Sequence, residues 1–430
     1  MKNPETSTRS KWQAFVTLII ACICSSITSV YASDIAQNLY AKHQNSIYRI
    51  DVVSSGAEQK SSLGTGFVMA EPNILASNFH VVSEAVHEPE KNKLEWVSVD
   101  GKRGPLKVIA IDVVHDLALL KAEQSMGTPF NTTAIPPKGT DLYSLGHPLG
   151  LDLAIVNGSA NGLLEKALYD KIHFSGNINP GMSGGPTLDK EGKVVGINVA
   201  TAGDAVGFLV PAVFLDELVK RTQAKAYEPV DDLQTTLGNQ LIATQQKLVD
   251  DIFAAEWQTQ KIGKFSVPGR LTNRLDCWGD TDEPTDKKPY REISSNCSGQ
   301  DNIYVSGRQR AGEISYQYFW LETSKLSPRA FFQMYQQHHN SRFQSGASEK
   351  DVGNFSCSIR FVEVSGQSFK ANVCARPYKR YAGLTDFMVL MAMTGHNQEG
   401  FLFTLDMSAV SLDNGMKLLQ GLMEKFSWQP

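Results

Sequence analysis

The chain reads as an all-β domain followed by a separate α+β domain, and three observations predict this. From Asp34 to residue 222, short β-branched or apolar runs alternate with Gly, Asn and Asp turns, the pattern of a barrel or sandwich. From 223 to 260 the composition turns polar and helix-friendly, as in a connector. From 261 to 430, strand-like runs mix with two helical ones. At 430 residues two or three domains are expected, because single cores stop growing well below that size.

Residues 1–32 stand apart from both domains. Lys2, Arg9 and Lys11 precede the apolar run 14–24, and Val30-Tyr31-Ala32 offers a small-residue cleavage site. This is the pattern of a secretory signal peptide, and the run is short for a membrane span, so the mature protein is expected in the periplasm or secreted, with no transmembrane span. Ile19-Ile20-Ala21-Cys22 also resembles a lipobox, which makes a membrane tether through Cys22 the second reading. The formal net charge of −4 gives no electrostatic footprint for nucleic acid, and no nucleic-acid motif is present.

The first domain carries the strand-like runs SIYRIDVVS, TGFVMA, EWVSVD, KVIAID, LALLKA, DLYSLG, KIHFSG, KVVGINVA and VGFLVP, leaving little room for helices. In the connector, Leu241, Ile242, Leu248, Ile252 and Phe253 recur at roughly helical spacing. The last domain offers strands EISYQYFWLE, FMVLMAMTG and GFLFTLD and helices SPRAFFQMYQQHH and SLDNGMKLLQGLMEKF, the first with Ser327 as N-cap and Pro328 at the first helical position.

Of six cysteines, Cys22 and Cys24 lie in the leader. The remaining Cys277, Cys297, Cys357 and Cys374 suggest two disulfides in an oxidising compartment, with three connectivities open. CSIRFVEVSGQSFKANVC reads as two strands around Ser365-Gly366, and a two-residue hairpin there sets Cys357 opposite Cys374. Cys277 and Cys297 then pair around the charged loop DTDEPTDKKP. The spacings are not those of a CxxC zinc site.

The stretch NPGMSGGP packs glycines and prolines around Ser183. A serine hydroxyl is a weak nucleophile until a base takes its proton and a third group fixes the base's tautomer. His80, in ILASNFHVV, and Asp116, opening the apolar run DLALLK, supply those residue types in the order His, Asp, Ser. Asp112 is a rival carboxylate, His115 reads as a loop residue, and His147 in GHPLG as one that shapes a loop near Ser183. His338 and His339 are adjacent on a helix and cannot easily share a metal.

In order, GTGFV, SNFHVV, DLALLK, GHPLGL, NPGMSGGPTLDKEGKVVGINVA and GFLVP resemble the trypsin-like serine proteases of bacteria, closest to the HtrA-type branch, over residues 45 to 215. The resemblance implies a two-barrel domain over 34–222. It makes Ser183 the nucleophile, His80 the general base and then acid, and Asp116 the group that orients it. It makes the N–H groups of Gly181 and Ser183 the oxyanion donors, and it places Asn177 with Asn198, Val199 and Ala200, and Val206 to Phe208, at the primary specificity pocket. No acidic residue falls at the pocket base, which implies cleavage of protein or peptide substrates after small or medium apolar residues. No metal or organic cofactor is implied. Met182 stands where digestive trypsins have Asp, so a new N-terminal amine has no such partner, and no PDZ domain is recognisable after the protease half. The alternative is a catalytically silent or latent fold acting as a cell-envelope binding or scaffolding module; in either case residues 261–430 are candidates for recruiting an envelope partner.

Overall fold

The computed structural model describes residues 35–56, 60–201, 206–299, 301–338 and 346–430, so the leader, its cleavage site, Cys22 and His339 lie outside the described residues. After a helical segment over 35–43, twelve strands among the described residues close into two six-stranded antiparallel barrels. Ile47–Ser54, Lys60–Val68, Ile74–Ser77, Asn92–Val97, Arg103–Asp112 and Leu117–Ala122 form the first. Asp141–Gly146, Ala154–Leu163, Ile172–Phe174, Pro186–Leu188, Val194–Thr201 and Gly207–Pro211 form the second. Near-continuous apolar strands such as Leu117–Ala122 arise because both of their faces are covered.

One expectation for this half needs correction. Helices do find room in it: Phe79–His87 carries His80, and Ala212–Gln223 follows the last strand of the second barrel and buries Ala212, Leu215 and Leu218 in a cluster drawn from both barrels. The segment AIVNGSANGL, rich in turn-forming residues, is a full strand, Ala154–Leu163. Its Gly158 is there because the backbone of Gly176 crosses so closely that a β-carbon would stand 2.3 Å from the Gly176 nitrogen.

The connector is helical from Leu233 to Ala254, with Asp232 capping its first turn through the Thr235 N–H. This helix belongs to two cores. Leu237 and Leu241 join the apolar cluster of the first barrel, while Leu248, Val249 and Ile252 join that of the C-terminal region. Between them Gln240 clamps the edge of the barrel, accepting from the Val113 N–H and donating to the Ile111 carbonyl, both at 2.8 Å.

The distinct C-terminal region is built on a seven-stranded antiparallel sheet in the order Leu275–Asp282, Arg291–Gly299, Ile314–Glu322, Glu399–Val410, Thr385–Met393, Gln367–Pro377, Ser356–Val364. A small sheet of Thr259–Ile262, Phe265–Pro268 and Ser427–Trp428 and the helix Leu412–Glu424 pack into its main core, and the helix Pro328–His338 supplies Phe331 and Tyr335 to a smaller cluster. Each outer hairpin is stapled across directly paired residues, Cys277 to Cys297 and Cys357 to Cys374. Ser365 and Gly366, at φ of 52° and 72°, make the two-residue turn that the cysteine register requires.

The region is not detached from the barrels. A two-stranded ribbon, Ile303–Tyr304 with Arg310–Ala311, folds back so that Ile303, Val305 and Ala311 are buried in the cluster of the first barrel. Lys171 on the second barrel pairs with Asp301 at 2.7 Å. Among the described residues no helix is long and apolar enough to cross a membrane.

Candidate active site

His80, Asp116 and Ser183 come from three separate segments, and the Ser183 loop meets the first barrel at Thr65 and beside Asn78, two residues before His80. His80 sits in the first turn of the helix Phe79–His87, directly after the buried strand Ile74–Ser77. Asp116 occupies the turn between Arg103–Asp112 and Leu117–Ala122, where its left-handed φ of 55° is one that Asp tolerates better than most residues. Ser183 lies on the loop between the strands Ile172–Phe174 and Pro186–Leu188.

Asp116 grips His80 at two points. One oxygen accepts the His80 backbone N–H at 2.8 Å and the other lies 2.6 Å from Nδ1. The Asp116 carbonyl in turn accepts from Phe79 N–H at 3.1 Å and from the Asn78 side chain at 2.8 Å. With Nδ1–H held by a carboxylate, the lone pair of the neutral imidazole is on Nε2, the form a base needs. Burial works against a charged imidazole, but the Asp116 charge and hydrogen bond outweigh it and Arg310 opposes them only weakly, so the His80 pKa lies above its ordinary value. The rival Asp112 is engaged elsewhere, by Arg221 at 2.9 Å and His115 at 3.0 Å. His115 stacks on Phe214 at 3.8 Å.

The Ser183 loop is held by a hub the sequence reading did not single out. Thr65 donates its hydroxyl to the Gly181 carbonyl at 2.7 Å and its N–H to the Ser183 carbonyl at 2.8 Å, while its own carbonyl accepts from Ser77 Oγ at 2.7 Å. Its hydroxyl also accepts from the His147 N–H at 3.0 Å. His147 is buried and its pKa is lowered to about 4, by burial first and then by Arg49, so at neutral pH it is an uncharged part of this scaffold. The signal lay in GTGFV, where Thr65 interrupts an apolar run and a buried hydroxyl needs partners.

Two glycines are obligatory here. Gly181, at φ 94°, would set a β-carbon 2.3 Å from the His147 carbonyl oxygen, and Gly184, at φ 84°, one 2.3 Å from the Thr65 carbonyl oxygen. The tight turn they permit leaves a specific pattern of donors. Met182, Gly184 and Gly185 donate to the Asn179, Asn198 and Met182 carbonyls, whereas the N–H groups of Gly181 and Ser183 have no acceptor among the described residues. Two free backbone donors flanking one hydroxyl can stabilise a negative oxygen that develops beside it. The Ser183 hydroxyl itself donates to the Val199 carbonyl at 3.4 Å.

Asn198 supports this loop from within. It is fully buried, its amide oxygen accepts from Ser144 at 2.8 Å and Thr187 at 2.6 Å, and its amide nitrogen donates to the Leu145 and Met182 carbonyls at 3.1 Å each. Its backbone groups are spent on Gly184 and Gly185. No part of it is left to meet a ligand, so the structure separates it from the exposed Asn177 and from Val199, which bulges out of the strand pairing. The Ala200 side chain lies outside the described residues. Asn198→Leu removes the hydrogen bonds of four buried partners, at about 1–3 kcal/mol for each that is left unsatisfied. We expect a loss of roughly 3–4 kcal/mol in unfolding free energy by urea denaturation; a loss below about 1 kcal/mol, the worth of one ordinary hydrogen bond, would deny Asn198 this role. Met182 is likewise fully buried, in the core of the second barrel.

Residues 64–197 match the trypsin-like peptidase domain family. A relative from Chlamydia muridarum named "Probable periplasmic serine endoprotease DegP-like" is 29% identical over 212 residues, covering 46% of this chain and 39% of that protein. "Serine protease Do-like HtrA" of Bacillus subtilis is 27% identical over 196 residues, covering 41% and 42%. The crystal structure of a serine endoprotease from Yersinia pestis aligns with a TM-score of 0.38 at 19% identity, over 43% of this chain and 65% of that one. The chain thus carries a trypsin-like serine protease domain related to the HtrA/DegP proteases, and it spans about two fifths of the length of the curated relatives it matches.

Proposed function

We propose that the protein is an exported, periplasmic serine endopeptidase in which Ser183 attacks the peptide carbonyl and His80 serves first as base and then as acid. Asp116 orients His80, the N–H groups of Gly181 and Ser183 hold the oxyanion, and water that gives its proton to His80 attacks the acyl-enzyme, His80 then returning the proton to the Ser183 oxygen. The observation that carries this reading is the pair of uncommitted N–H groups beside Ser183, together with a His80 imidazole whose tautomer is fixed by a two-point carboxylate contact. Each such donor is typically worth about 2.7–4 kcal/mol of transition-state stabilisation. Periplasmic location follows the relatives and the leader-like residues 1–32. The residues that the resemblance assigns to the primary specificity pocket, Asn177, Val199 and Ala200, include no acidic side chain, which favours small or medium apolar residues before the scissile bond. Residues 34–222 form the protease domain, 223–260 the connector and 261–430 the accessory domain.

The hydroxyl of Ser183 faces Val199 and makes no hydrogen bond to His80 among the described residues, which favours a second reading in which the site is latent until a ligand arrives. Catalytic hydrogen bonds are often long before substrate binds, so the two readings differ in rate and not in mechanism.

The test is the pH profile of kcat/KM for a peptide with an apolar residue before the scissile bond. Only neutral His80 can take the Ser183 proton. Because Asp116 favours the imidazolium, activity should rise as pH increases through a single ionisation above the ordinary histidine value of about 6.5. A profile flat between about pH 5 and 8, the range in which histidine ordinarily changes charge, would remove His80 from the mechanism.

A further inference from the structure

We infer that Arg310 selects substrates that carry an acidic side chain beside the scissile bond; the inference rests on the proteolytic reading above and deepens it. Arg310 comes from the C-terminal region, on the ribbon that folds back over the first barrel. That ribbon is fastened close to His80. The Val305 carbonyl accepts from His87 Nε2 at 2.7 Å, at the far end of the helix that begins beside His80, and the hydroxyls of Tyr304 and Ser83 share a hydrogen bond at 3.2 Å. The Tyr304 ring stands edge-on to the His80 ring at 5.7 Å, and the Arg310 guanidinium lies over the Tyr304 ring at 4.6 Å. Guanidinium, phenol and imidazole therefore follow one another in series, Tyr304 between the other two.

Arg310 is held in place without being neutralised. Its Nη1 donates to the Ser306 carbonyl at 2.7 Å and the Gln309 carbonyl at 3.1 Å. Among the described residues no carboxylate lies within ion-pair distance of it; Glu313 feels its charge but does not reach it. A half-buried cation is ordinarily paired. This one also stands near an imidazole that must become cationic as Ser183 loses its proton, and it opposes that charge. A substrate carboxylate on the guanidinium would satisfy the planar fork bidentately and cancel the repulsion in the transition state. Selection of this kind raises kcat as well as binding.

The experiment compares two sets of internally quenched peptides with one apolar residue before the scissile bond, identical except for Glu or Gln at the position preceding that apolar residue and at the position following the bond. Each set is cleaved by the full chain, by Arg310→Met and by Arg310→Glu, and Ser183 labelling by a fluorophosphonate is followed in the same samples. The expected result is a Glu-over-Gln preference in kcat/KM of about tenfold, corresponding to about 1.4 kcal/mol. It should vanish in Arg310→Met and reverse in Arg310→Glu, a reversal that loss of folding cannot produce. Labelled Ser183 with no Glu preference, with a preference that survives Arg310→Met, or with neither set cleaved overturns the inference and leaves the proteolytic reading standing. Neither labelling nor cleavage overturns that reading and the inference with it.

Discussion

Ser183→Ala should lower kcat on an apolar peptide by about 10⁶-fold while leaving the fold intact. The size follows from the role. Without the hydroxyl there is no acyl-enzyme, and the free N–H groups of Gly181 and Ser183 can only polarise the carbonyl for attack by water. The fold should survive because the hydroxyl makes one hydrogen bond, at 3.4 Å to Val199, worth about 1 kcal/mol at most. Members of a catalytic unit are also strongly non-additive. The double variant Ser183→Ala with His80→Ala should therefore be no slower than Ser183→Ala alone, as steady-state kinetics on one peptide will show. Multiplying losses would mean that His80 acts independently of Ser183.

Asp116→Asn should cost about 10⁴-fold in kcat, and its geometry says why. Asn accepts a left-handed φ as readily as Asp does, so the turn at φ 55° is kept, and its amide oxygen can still accept the His80 backbone N–H. The other position changes from acceptor to donor. Facing an NH₂ group at Nδ1, the imidazole adopts the tautomer with its proton on Nε2 and its lone pair turned away from Ser183. Loss of the Asp116 charge also lets burial dominate, so the pKa of His80 should fall below its ordinary value and the rising limb of the pH profile should move to lower pH. A variant with lowered kcat and an unmoved limb would show that Asp116 supports the turn and does not act on the imidazole.

Much of this was legible in the residues because local pattern and chemistry coincide there. LALLKA and DLYSLG are strands with the bounds the alternation suggests, and the Ser365-Gly366 turn put Cys357 opposite Cys374 because a two-residue hairpin leaves one register. His80, Asp116 and Ser183 could be named because few histidines and carboxylates border apolar runs in that order. What could not be read is long-range. Thr65 is a lone hydroxyl in a strand until the Ser183 loop arrives from the other barrel, and Asn198 looks like a pocket residue until four partners from Ser144, Leu145, Met182 and Thr187 enclose it. Likewise the connector helix shows one apolar stripe, and nothing in its spacing tells that Leu237 and Leu248 serve different cores. The contact of Tyr304 with His80 joins positions over two hundred residues apart and has no local signature at all.

The most direct measurement is labelling of the purified protein with a fluorophosphonate, with the adduct mapped by mass spectrometry and with Ser183→Ala and His80→Ala as controls. A single adduct on Ser183, absent from both variants, is the predicted result, since only a hydroxyl deprotonated by a correctly oriented imidazole reacts with such a probe. A well-folded protein that stays unlabelled, or labelling of Ser183 that persists in His80→Ala, would contradict an assembled nucleophile and base.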